Sequence, residues 1–117
     1  MPLSSDISDV WTLYGDISSK IAEFNSEWKS ITYLTQNERN YFTKESKKID
    51  EQLTDIRKDI HIMESVMEKY NTTNDIDDFE KQESIFFSVR NRIFDKIDRL
   101  SNEMNQLYEE LDDIYDE

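Results

Sequence analysis

Apolar residues recur at helical spacing in three long stretches of this chain. In the first, from about Asp6 to Leu34, they are Ile7, Val10, Trp11, Tyr14, Ile17, Ile21, Phe24, Trp28 and Ile31. From Tyr14 onward the steps alternate between three and four, which draws a stripe along one side of an α-helix. Ser4 or Ser5 stands where an N-cap is expected, and Asp6 would fall in the first turn, where the helix dipole favours a carboxylate. Gly15 interrupts the stretch and suggests a close approach by a neighbouring helix, at about 1 kcal/mol of helix propensity. The next stretch, "TQNERN" from Thr35 to Asn40, has no apolar residue. Thr35 and Glu38 have the spacing of a capping box, so a break and a new helix from about Gln36 are expected; one helix running through is the alternative.

The second helix, about 36–70, carries Phe42, Ile49, Leu53, Ile56, Ile60, Met63, Met67 and Tyr70. From Ile49 this is a strict heptad seam, the pattern of helices packed nearly parallel or antiparallel. "NTTND", Asn71 to Asp75, is a helix–helix connection, with Asn74 placed to cap the next helix and Asp75, Asp77 and Asp78 in its first turn. In the third helix, about 75–115, Phe79, Phe86, Ile93, Leu100, Leu107 and Ile114 recur every seven residues. Ile97, Met104 and Leu111 complete that seam, and Glu83 and Arg90 interrupt it with polar groups. Phe87, Phe94, Tyr108 and Tyr115 form a second stripe beside it. Two adjacent stripes imply two neighbours. The first helix can cover Phe87 and Phe94, while Tyr108 and Tyr115 are expected beyond its reach. Counting outward from the turn sets Met67 against Phe79, Ile60 against Phe86 and Leu53 against Ile93.

The fold expected over 1–117 is therefore one all-α domain, an elongated antiparallel helical hairpin or three-helix bundle with coiled-coil-like packing. Composition agrees. A single Gly and a single Pro in 117 residues leave few turn formers. With 12% aromatic residues and many isoleucines the chain is too rich in core formers for disorder, despite only 36% hydrophobic residues and a net charge of −13. Acids outnumber bases 27 to 14, which disfavours nucleic acid and anionic membrane surfaces. No apolar run approaches the ~20 residues of a membrane span, so no stable membrane insertion is expected. "MPLSSDISDV" lacks the continuous apolar stretch of a signal peptide. The chain is expected in the cytoplasm, or exported with a partner without a cleaved signal.

Candidate chemistry is sparse. There is no Cys, and His61 is the only histidine, so neither a thiolate nucleophile nor a Cys/His zinc site is expected. "NDIDDFEKQE" lacks the glycine of a calcium loop and reads better as a capped helix start. No phosphate loop or nucleophile elbow is present, so neither cofactor nor catalysis is expected. The chain ends on "LYEELDDIYDE", with six acids in its last nine residues, against the preference of a helix C-terminus for Lys or Arg. Tyr108 and Asp112 lie one turn apart on one face. Tyr108, Leu111, Asp112 and Tyr115 are therefore expected to form a recognition surface. Phe87, Phe94, Trp11 and Trp28 are further partner-binding candidates, although core burial is the favoured reading for the two tryptophans. The stripes exceed what one hairpin covers, so a homo- or hetero-oligomer with another helical protein is expected.

On these features the chain resembles the small helical proteins of bacterial type VII secretion. The WXG family and its relatives are acidic, Cys-free helical hairpins with an aromatic-x-x-x-acid signal near the C-terminus, which Tyr108 and Asp112 match. More narrowly, the long acidic hairpin and "LYEELDDIYDE" resemble the partner proteins encoded beside LXG toxins. That resemblance implies a chaperone or targeting factor that binds the toxin's helical N-terminal region, with a second small helical protein as a further partner. The chain departs from the pattern in having no Trp-x-Gly at its turn: Trp28 is followed by Lys29 and Ser30. "LTDIRKDIHIMESVMEKY" and "SVRNRIFDKIDRLSNEM" are also similar to helices of the N-terminal three-helix domain of syntaxin-6-type SNARE proteins, which implies a regulatory bundle in membrane traffic.

Overall fold

The computed structural model describes residues 2–115, with side chains from residue 3. Three helices follow one another: α1 (Pro2–Ser30), α2 (Gln36–Thr72) and α3 (Ile76–Tyr115). All three pack against one another in a bundle 63 Å long and about 20 Å across. The 40 residues of α3 account for the whole long axis at about 1.5 Å per residue.

The breaks have local causes. The Thr35 side chain accepts from the Glu38 amide at 3.1 Å, and the Glu38 carboxylate accepts from the Thr35 amide at 2.8 Å, so the expected capping box starts α2. Two starts differ from expectation. α1 opens at Pro2, whose fixed φ suits a first helical position. Ser4 and Ser5 are thus inside it, and Asp6 lies beyond the first turn and pairs with Arg90. α3 is capped by Asp75 rather than Asn74, because the Asp75 carboxylate accepts from the Asp77 amide at 3.0 Å. Gly15 is exposed, and a Cβ there would meet nothing within 4 Å, so no helix approaches closely at that point.

Chain direction follows from the contacts. Asp6 meets Arg90 and Lys20 meets Asn105, 84 and 85 residues apart, so α1 runs parallel to α3. Trp11 meets Glu64 and Asn25 meets Ser46, so α1 is antiparallel to α2. The bundle is up-down-up. Its continuous core takes Ile17, Phe24, Trp28, Phe42, Ile56, Met63, Phe86, Ile93, Leu100 and Leu111, among others. The two stripes of α3 thus serve two neighbours, as their adjacency implied.

The pairing of α2 with α3 departs from the expected register. Asp59 binds Arg92 and Lys96, Asp55 binds Lys96, and Tyr41 binds Glu110. Ile60 therefore sits level with Arg92 rather than Phe86, and Leu53 lies beyond Lys96 rather than at Ile93. The cause is that α2 continues through Asn71 and Thr72, which moves the centre of the hairpin toward α3.

Asp59 is the one buried charged residue among those described. Arg92 reaches its two oxygens at 2.9 and 3.2 Å, and Lys96 reaches it at 2.6 Å. Burial pushes the Asp59 carboxyl up, but the hydrogen bonds and positive charges of Lys96 and Arg92 together outweigh it and hold the group below its ordinary value of 3.8. A lowered folded pKa stabilises the fold above that ordinary value and loses the effect as pH falls through the folded value. Asp59→Asn should therefore lower stability at pH 7 by roughly 1–3 kcal/mol, discounted because both cations are partly exposed. The difference from wild type should shrink below about pH 4. Denaturant melts from pH 7 to pH 3 test this; equal stability at pH 7, or a gap that widens in acid, contradicts it.

Candidate partner-binding surface

The end of the bundle that gathers the C-termini of α1 and α3 with the start of α2 is closed. Leu34, Phe42, Leu107 and Leu111 are buried there, and Trp28 stacks on Phe42 with ring centroids 5.8 Å apart. The Trp28 indole N–H donates to the Asn25 side-chain oxygen at 3.1 Å, and that oxygen also accepts from Ser46.

This packing corrects the expected recognition surface. Leu111 is only 1% exposed and belongs to the chain's own core. Trp28, 5% exposed, is core as well. Tyr108 is partly buried: its ring meets Phe24 edge-on at 5.0 Å and its hydroxyl donates to the Lys20 carbonyl at 3.3 Å. The expectation that α1 stops short of Tyr108 fails because α1 runs parallel to α3 and sets Phe24 level with it. Phe87 and Phe94 pack against the core, with the Arg90 guanidinium over their rings at 4.7 and 5.8 Å. Trp11 is partly buried, and its indole N–H donates to Glu64 at 3.3 Å. Arg90 and Glu83 explain their places in the seam: Arg90 answers Asp6, and Glu83 accepts from the Tyr70 hydroxyl at 3.5 Å.

Two of the expected recognition residues remain outward. Asp112 is exposed, and Tyr115 is half exposed, at 50%. Asp116 and Glu117, the last acids of the run, lie outside the described residues. Two further tyrosines, which the stripes did not single out, join this end. Tyr33, 58% exposed in the α1–α2 connection, meets the Tyr115 ring at 6.3 Å. Tyr41, beside the buried Phe42, donates to Glu110 at 2.6 Å across from α2 to α3. The last turn of α3 carries no basic residue. This end thus carries two separate tyrosine contacts, Tyr33 with Tyr115 and Tyr41 with Glu110, and an exposed Asp112 on α3.

Elsewhere the chemistry is committed to structure. The groove between α2 and α3 bordered by Gln52, Asp55, Lys96, Arg99 and Glu103 has its lysine bound to Asp55 and Asp59. His61 lies 2.9 Å from Glu64 on an exposed face. Among the described residues, no group of three His, Cys, Asp or Glu is placed to hold a metal ion. None of the described helices is long and apolar enough to cross a membrane. Comparison with family models, with curated proteins and with solved structures found no match to this chain.

The Tyr41–Glu110 bond ties α2 to α3 near this end. The hydrogen bond to Glu110 raises the Tyr41 phenol to about 12, with burial and the charges of Glu110 and Glu45 acting in the same direction. A raised folded pKa contributes stability below the ordinary value of 10.0, which is lost as pH rises through the folded value. Absorbance titration near 295 nm should show one of the six tyrosines ionising last, near pH 12. Tyr41→Phe should remove that step and Glu110→Gln should move it down. A last step that survives in Tyr41→Phe contradicts the contact.

Proposed function

We propose that this chain is a non-enzymatic protein-binding module. Its best-supported reading is a targeting partner for the helical N-terminal region of a type VII secreted LXG toxin. The observation that carries the reading is the state of the terminal aromatic-x-x-x-acid pair. Tyr108 is anchored on Phe24, which fixes the helix, while Asp112, one turn on, and Tyr115 face outward from a firmly packed end. A signal held in a fixed helical frame needs little ordering when a partner reads it, which keeps the cost of recognition low. The acids of this end then need no helix-stabilising role, because the core around Leu111 holds the terminus against its own dipole.

The up-down-up bundle itself favours a second reading, the regulatory three-helix domain of a SNARE-type protein. The two separate by gene context and by partner. The LXG reading expects a toxin gene and secretion genes alongside; the SNARE reading expects a membrane-traffic setting.

The decisive experiment is co-expression with the helical N-terminal region of an LXG toxin whose gene is sought beside this one, followed by tagged capture and size-exclusion chromatography. Wild type should form a stable stoichiometric complex. Asp112→Ala/Tyr115→Ala should keep its melting temperature within about 2 °C, because both side chains are largely outside the core, and should lose at least tenfold in complex affinity. No complex with wild type, no such toxin gene, or a double variant that binds as well as wild type overturns the reading.

A further inference from the structure

Four of the six tyrosines are committed to the bundle. Tyr41 donates to Glu110, Tyr70 to Glu83 and Tyr108 to the Lys20 carbonyl. Tyr14 is partly buried, with its ring edge-on to Trp11 at 5.5 Å. The rings of Tyr41, Tyr70 and Tyr108 likewise pair with Phe42, Phe79 and Phe24. Tyr33 and Tyr115 pair with each other instead. Their ring centroids are 6.3 Å apart and their planes 76° apart, an edge-to-face contact. They are also the two most exposed tyrosines, at 58% and 50%.

Both rings stand on firmly placed backbone. Tyr33 lies in the turn between α1 and α2, flanked by the buried Ile31 and Leu34. The Ile31 amide donates to the Trp28 carbonyl at 3.3 Å, and the Arg39 guanidinium donates to the Ile31 carbonyl. Tyr115 lies in the last turn of α3, four residues after the buried Leu111, and the neighbouring Ile114 packs against the core. The two Cα atoms are therefore held near each other, while exposed side chains turn about their own bonds within nanoseconds.

Two phenols in contact have a chemistry that neither has alone. A one-electron oxidant takes an electron and the hydroxyl proton from each, which leaves two phenoxyl radicals. Their spin lies partly on the ring carbons ortho to oxygen, and two such carbons join in a C–C bond. The hydrogen on each joined carbon then moves to its own oxygen, which restores both aromatic rings. In sum, two C–H bonds give way to one C–C bond, and the two electrons and two protons released reduce one hydrogen peroxide to two waters.

We propose that Tyr33 and Tyr115 form an oxidative cross-linking site, which closes to an intrachain dityrosine when a haem peroxidase and hydrogen peroxide supply the oxidising equivalents. Fixed proximity makes the coupling effectively unimolecular. A net charge of −13 keeps separate chains apart and disfavours coupling between them. The new bond ties the α1–α2 turn to the last turn of α3. The site stands whether or not the toxin-partner reading does.

The test treats the full chain, in dilute solution, with a haem peroxidase and one equivalent of hydrogen peroxide. The monomer should gain the blue fluorescence of dityrosine and lose two hydrogens in intact mass; methionine oxidation adds oxygen and is separated by mass. Digestion should give a cross-linked peptide pair that carries Tyr33 and Tyr115. Tyr33→Phe and Tyr115→Phe, both at exposed positions, should each cut the fluorescence about tenfold and keep the melting temperature within about 2 °C. Tyr41→Phe should leave the fluorescence unchanged. The linked chain should melt about 5 °C or more above the unlinked one, because the bond constrains the unfolded state. No dityrosine in the monomer, cross-links only between chains, a product that survives in either Tyr33→Phe or Tyr115→Phe, or a linked chain that melts no higher overturns the proposal.

Discussion

The constraint on which the rest depends is the lie of α1 along α3. The two helices run in the same direction, offset so that Asp6 is level with Arg90 and Phe24 with Tyr108. The offset is nearly constant along the pair, since Lys20 meets Asn105 85 residues on. It also decides what each end of the molecule becomes. At one end Phe24, Trp28, Ile31 and Leu34 reach the last turns of α3 and enclose Leu107 and Leu111. At the other end α1 is absent from the hairpin tip, and the core closes at Val66 and Phe86.

Between the ends, one buried charge sets the level of α2 against α3. Heptad seams of Ile, Leu and Met tolerate a slip of seven residues, because each layer resembles the next. Asp59 does not tolerate it. Its carboxylate is buried where Arg92 and Lys96 both reach it, and a slip of seven residues sets either Ile85 and Val89 or Arg99 and Glu103 in their places, so the pair of cations is lost. Tyr41 and Glu110 repeat the same register nearer the closed end. Polar residues set into the seams thus specify register, at some cost in apolar burial. Arg90 plays a similar part between α3 and α1: it pairs with Asp6 and lies over Phe87 and Phe94.

Much of the fold was legible in the periodicity. The three helices, the Thr35 capping box and the two-neighbour character of α3 could all be read from spacing, because each depends on residues within a turn or two of one another. What could not be read was the level of one helix along another. A stripe identifies a face but carries no mark of height, so α1 was expected to stop short of Tyr108, and α2 was set against α3 about five residues from its actual place. The error carried into the recognition surface. Leu111, expected in a recognition surface, is in fact enclosed by the chain's own core, while Trp28 is buried as its favoured reading expects. Tyr33 and Tyr41 went unseen because they fall off the stripes, and their only sequence signal was an aromatic ring beside polar neighbours.

Amide hydrogen exchange along α2 and α3 tests the central claim most directly. Helical hydrogen bonding is continuous through both, so differences in protection report how firmly each segment is held by its neighbours. With α1 ending level with Phe86, amides from Phe42 to Val66 and from Phe86 to Leu111 should exchange only through global opening. Amides within residues 67–85 should exchange at least tenfold faster, with the boundary at Val66 and Phe86 rather than at the final turn of the hairpin. Uniform protection through the tip, or a loosely held segment around Leu107 and Leu111 instead, would contradict this placement of α1.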